Sequence, residues 1–203
     1  METKKFTLKT AAGSWRFLAL FLAIVLLCSA VSQLIITQGY KIQVSTVTYE
    51  VRGAELNFEL YKPTDASSAN KLPCIILSHG GSESLAANSM NAWELAKRGF
   101  VVLNVSMYSC GLSGQPAIND GGTTEENYFR GGTQGMYDAL QYARSIAYVD
   151  TNRIAMWGHS AGYICETAAL LQDGEYLTLN DRLLNVLHDE MGVEITEDQL
   201  TQN

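Results

Sequence analysis

The chain has 203 residues, room for one domain plus a membrane or targeting segment. Its 47% hydrophobic and 17% charged residues are ordinary globular composition and argue against disorder. A net charge of −7, with no Lys/Arg cluster outside the N-terminus, leaves nothing to neutralise phosphates and excludes a nucleic-acid partner.

Charge is unevenly spread. Lys4, Lys5, Lys9 and Arg16 make residues 1–16 basic, whereas Asp173 to Asn203 holds eight acids against Arg182 alone. Phe17 to Ile36 is twenty residues without a charge, interrupted only by Ser29, Ser32 and Gln33. That length crosses a bilayer core as a helix. The basic flank predicts a cytoplasmic N-terminus, so the rest of the chain is expected on the extracytoplasmic side of the cell membrane. The competing reading is a cleaved signal peptide, with Phe17 to Leu27 as its apolar region and Cys28-Ser29-Ala30 at the cleavage positions. Val31, Leu34, Ile35 and Ile36 prolong the apolar run and favour an uncleaved anchor. Leu27 before Cys28 argues against a lipoprotein signal, and the terminal position against a core helix.

Next, Lys41 to Val51 alternates, Arg52-Gly53-Ala54 reads as a turn, and Glu55 to Leu60 alternates again, which predicts an antiparallel hairpin. Pro63 to Lys71 is polar and loop-like. Leu72 to Leu77, bounded by Pro73 and His79-Gly80-Gly81, reads as a strand buried on both faces. Asn88 to Arg98 has Met90, Trp93, Leu95 and Ala96 at helical spacing, with Gly99 as its stop. Phe100 to Val105 is a second buried strand, Met107 to Gly122 a Gly/Ser/Asn-rich loop, and Glu125 to Ile146 a long helix with Tyr137, Leu140 and Ala143 in phase. Alternating helices and apolar strands imply βαβ units with right-handed crossovers.

Then comes the most informative stretch. Arg153 to Trp157 is a short apolar strand, Gly158-His159-Ser160-Ala161-Gly162 follows, and Tyr163 to Leu171 reads as a helix. Strand, G-x-S-x-G, helix is the setting in which the pattern is a nucleophile elbow, with Ser160 exposed at the apex of a sharp turn. The helix's N-terminal N–H groups then face an incoming oxyanion.

In order and spacing, Lys41 to Gln172 resembles the α/β-hydrolase superfamily, within it the dienelactone hydrolase and acyl-peptidase-like branch. The resemblance rests on the hairpin, His79-Gly80-Gly81, Arg98-Gly99-Phe100, Gly111-Leu112-Ser113-Gly114, Asp150 to Ile154 and the Ser160 pentapeptide. It implies an α/β fold with a mostly parallel sheet flanked by helices. It also implies Ser160 as acyl-enzyme nucleophile and the N–H of Ala161 as one oxyanion donor. Gly81 is the second expected donor, with Ser82 the alternative. No cofactor or metal is implied; the partner is a small-molecule acyl substrate.

The four cysteines, Cys28, Cys74, Cys110 and Cys165, lack C-x-x-C spacing and read as thiols, with only the loop residue Cys110 a candidate for reactivity. His79 and His159 flank functional residues and read as packing or loop-ordering histidines, not as the general base. A base and an orienting acid should follow Ser160. Only His188 does, within a helical pattern, with Glu166, Asp173, Glu175 and Asp181 between them. Thr196 to Gln199 has the form of a helix start four residues before the last residue. The expectation is therefore a fragment of a serine hydrolase lacking its Asp and His and inactive or nearly so alone. Its segments would be 1–16 (basic N-terminus), 17–36 (anchor), 41–172 (N-terminal part of the hydrolase core, incomplete at its C-terminus) and 173–203 (start of an acidic helical lid). The alternatives are a non-catalytic, membrane-tethered binding or scaffold domain, and an enzyme completed by a second polypeptide.

Overall fold

The computed structural model describes residues 8–108, 112–114 and 124–173, and the chain divides into two units, 1–40 and 41–203. The first unit is one helix, α1 (Leu8–Ile36), closed by Thr37, whose hydroxyl donates to the Gln33 carbonyl at 2.7 Å. Ser14–Ile36 is the one described helix long and apolar enough to cross a membrane, by length and composition; a signal sequence would pass the same test.

The second unit begins with the expected hairpin, β1 (Ile42–Val51) and β2 (Ala54–Pro63), paired antiparallel from Val51–Ala54 to Ile42–Pro63. After β3 (Leu72–Ser78) come a short 3-10 turn, Leu85–Asn88, helix α2 (Ser89–Lys97) and β4 (Val101–Val105). Helix α3 (Thr124–Ser145), strand β5 (Val149–Gly158) and helix α4 (Ala161–Gln172) follow. The sheet runs β1-β2-β4-β3-β5. It is mixed: β3 pairs parallel with β4 and β5, while β2 pairs antiparallel with β1 and β4. The hairpin thus lies at one edge and β5 at the other.

Hydrophobic patterning explains the layers. All five residues of β4 are buried, as its unbroken apolar run requires of a strand covered on both faces. On one face Phe58, Ile76, Leu103 and Val105 meet Met136, Ala139, Leu140 and Ala143 of α3 and Cys165 and Ala169 of α4. On the other, Tyr61, Leu77 and Val102 pack on Ala92 and Ala96 of α2. The elbow strand departs from expectation in length, starting four residues earlier than the apolar run Arg153 to Trp157. Val149 pairs with Leu72 but Ile154 pairs with Cys74, so the four residues Asp150 to Arg153 face the single Pro73 and the β5 side carries three extra residues. Asp150 closes that irregularity, accepting from Arg153 Nε at 2.6 Å and from the Asn152 N–H at 3.1 Å. Both bonds, Arg153's foremost, hold its carboxyl below the usual range. Cys110, Glu175, Asp181, His188 and the acidic helical lid expected beyond Asp173 lie outside the described residues.

Candidate active site

The parallel strands β3, β4 and β5 end on a common edge, and the site is built there. At the β5–α4 junction Ser160 has φ 54° and ψ −120°, a sparsely populated conformation for a residue with a side chain. Such backbone costs about 1–3 kcal/mol and persists only where the surroundings fix it. Here two glycines fix it by close approach. A methyl group on Gly158 would lie 2.5 Å from the Tyr163 nitrogen and 2.6 Å from Ser78 Oγ; one on Gly162 would lie 2.6 Å from the His79 carbonyl oxygen and would also overlap Ser78 Oγ. Only hydrogens at both positions let the turn sit against the end of β3. Ser160 stays exposed and its hydroxyl caps nothing in α4.

Opposite the elbow, the loop after β3 is tied down almost group by group. His79 is fully buried; its Nε2 accepts from the Met107 N–H at 3.3 Å, so its Nδ1 carries the proton donated to the Gly80 carbonyl at 2.8 Å. The Glu83 N–H also reaches the Gly80 carbonyl at 3.1 Å, and the Glu83 carboxylate accepts from the Gly80 N–H at 2.8 Å. Tyr128 Oη donates to the Gly81 carbonyl at 3.1 Å. One group of Gly80-Gly81 is left: among the described residues the Gly81 N–H has no protein acceptor. The same holds for the N–H of Ala161, which as the first residue of α4 has no intrahelical partner. The two positions are neighbours, since a methyl group on Gly81 would stand 3.6 Å from Ala161 Cβ. The arrangement offers two adjacent N–H groups, one at the positive end of a helix, beside an exposed hydroxyl.

With both ring nitrogens engaged, His79 orders the loop and holds no nitrogen in reserve for proton transfer. His159 is exposed and its Nδ1 faces Glu83 Oε2 at 3.4 Å. The Gly80 N–H, then His159, lower the Glu83 pKa. Of the acids after Ser160, Asp173 pairs with Arg144 and Gln141, tying the end of α4 to α3. Glu166 is buried behind the elbow, and Ser78 Oγ donates to it at 2.8 Å. Burial pushes its carboxyl up to about 8, against the opposing pull of Ser78 and the Trp157 N–H. Composition hints at Glu166, an acid amid the apolar α4, but nothing local pairs it with Ser78 or Tyr128 with Gly81.

Among the described residues no group of three or more His, Cys, Asp or Glu could hold a metal ion. Cys74 and Cys165 are buried, and burial raises the Cys74 thiol to about 12.

No protein-family model matches the sequence, and no curated protein does. Many solved structures match. An esterase of the archaeon Pyrobaculum calidifontis is 23% identical over 70% of this chain and 45% of its own, with a TM-score of 0.51. DcsB, solved with a substrate analogue, is 19% identical over 63% of this chain and 41% of its own, with a TM-score of 0.50. The chain thus has the α/β-hydrolase fold, and it spans less than half the length of these two structures.

Proposed function

We propose that this chain carries the nucleophile and the oxyanion-binding groups of a membrane-anchored serine hydrolase acting on ester, thioester or peptide acyl groups. Ser160 Oγ attacks the acyl carbonyl carbon, the carbonyl oxygen takes up negative charge between the N–H groups of Gly81 and Ala161, and the leaving group departs with a proton. Water then cleaves the acyl–Ser160 ester. Two easier steps replace one hard one. Each N–H donor of this kind contributes about 100- to 1000-fold to turnover. The observation that carries the reading is the strained, exposed Ser160 beside two N–H groups with no protein acceptor. No described histidine is assigned as the general base. The apolar helix Ser14–Ile36 behind its basic flank supports a single-pass anchor with the hydrolase unit extracytoplasmic.

The test uses the protein purified from its native membrane in detergent micelles, a fluorophosphonate probe and p-nitrophenyl acetate. Both reactions are expected to be lost in Ser160→Ala, and hydrolysis that survives this change refutes the assignment. A second reading, a non-catalytic tethered binding or scaffold domain, is favoured by the engagement of His79 and His159 elsewhere. It predicts that Ser160 stays unlabelled.

A further inference from the structure

We infer that Tyr128 is a positioning residue for the Gly81 donor, an assignment that rests on the hydrolase reading. The Gly81 N–H lies in the Gly80–Gly81 peptide plane, and with no Cβ at Gly81 that plane turns freely about the Gly81 Cα bonds unless the next plane is anchored as well. The preceding plane is held through the Gly80 carbonyl, by His79 Nδ1 and the Glu83 N–H. For the following plane, the Gly81 carbonyl has one described partner, Tyr128 Oη at 3.1 Å. With both carbonyls bound, rotation of Gly81 about either soft dihedral breaks a hydrogen bond.

The phenol is itself well supported. Tyr128 lies in the second turn of α3, and its ring meets that of Phe129 edge-on, centroids 5.4 Å apart at 81°. Phe129 packs against the core and its carbonyl receives Cys165 Sγ of α4 at 3.7 Å. The clamp therefore joins α3 to the loop after β3 and, through Phe129, to the helix behind the nucleophile. A methyl group on Gly81 would sit 3.4 Å from the phenol oxygen, so the hydroxyl lies close to the donor residue itself.

Tyr128→Phe removes the hydroxyl and keeps the ring. An exposed neutral hydrogen bond of this kind is worth about a three- to tenfold effect. In the native protein in micelles, kcat for p-nitrophenyl acetate should fall about three- to tenfold with KM unchanged, because the oxyanion exists only in the transition state. Glycine-selective 15N spectra give a readout independent of turnover: the Gly81 amide should shift while those of Gly53 and Gly99 stay. Unchanged kcat with an unmoved Gly81 signal overturns the assignment. So does a general shift of glycine signals with a lowered melting temperature, which marks a merely structural role. Ser160→Ala separates the two levels: if it hydrolyses as well as the wild type, the hydrolase reading falls and takes the Tyr128 role with it. If Ser160→Ala is inactive and Tyr128→Phe fully active, only the Tyr128 role falls.

Discussion

Glu166 is the residue whose replacement should reveal most about what holds the elbow. Its carboxyl is 3% exposed, takes a hydrogen bond from Ser78 Oγ at 2.8 Å, and has a pKa raised from 4.5 to about 8 by burial. Between those values the folded chain binds a proton that the unfolded chain has lost. The contribution of Glu166 to stability is therefore greatest below pH 4.5 and is lost as pH rises through about 8. The slope is about 1.4 kcal/mol per pH unit, so the window amounts to at most on the order of 5 kcal/mol. Glu166→Gln keeps the shape and an acceptor for Ser78 but cannot ionise. The variant should match the wild type within about 1 kcal/mol in mild acid and exceed it in mild base, where about 5 kcal/mol corresponds to roughly 10–20 °C in melting temperature. Thermal unfolding followed by near-ultraviolet circular dichroism, with both proteins in the same detergent across that pH range, measures the difference directly. Parallel pH profiles for the two proteins would refute the reasoning, because Glu166 would then ionise as readily folded as unfolded.

Gly158→Ala should destabilise by about 3 kcal/mol or more in urea titration. Adding Ser78→Gly should not rescue it, since the added methyl also meets the Tyr163 nitrogen. Asp138, 2% exposed, accepts from Arg52 Nε at 3.0 Å, Tyr108 Oη at 3.3 Å and Gln134 Nε2 at 3.2 Å. Asp138→Ala should cost about 2–3 kcal/mol by the same titration, mostly from the buried Tyr108 hydroxyl left unpaired. Arg52→Ala should cost less, because that side chain is half exposed. For the N-terminal helix, the intact chain should resist extraction from membranes by alkaline carbonate, and a soluble product beginning near Val31 would point to signal cleavage instead.

The elements and their order were legible in the sequence because each rests on a local signal: alternation in β1 and β2, unbroken apolar runs in β3 and β4, helical spacing in α2 and α3. The elbow was legible for the same reason, its glycines and serine being adjacent in the chain. The start of β5 was not. Asp150 to Asn152 is polar and precedes the apolar run that begins at Arg153, yet the side-chain bonds of Asp150 let the strand begin at Val149 and absorb the extra residues. The supports of the site were invisible for another reason. Ser78 and Glu166 are 88 residues apart, and Gly81 and Tyr128 are 47 apart, so no periodicity or spacing could join them. His79 and His159 stand between these cases: sequence placed both beside functional residues, but only the folded loop separates a fully engaged ring from an exposed one.

The backbone at residue 160 has a consequence for how the protein tolerates change. With φ at 54° the position favours glycine over any side chain, so Ser160→Gly should relieve strain and raise stability by about 1 kcal/mol while removing the nucleophile. Random substitution selected for thermal resistance alone would drift toward that glycine. Selection for acyl transfer would hold the serine against the gradient. Stability and chemistry pull this one residue in opposite directions, and which of them prevails under laboratory evolution is a direct reading of what the protein is for.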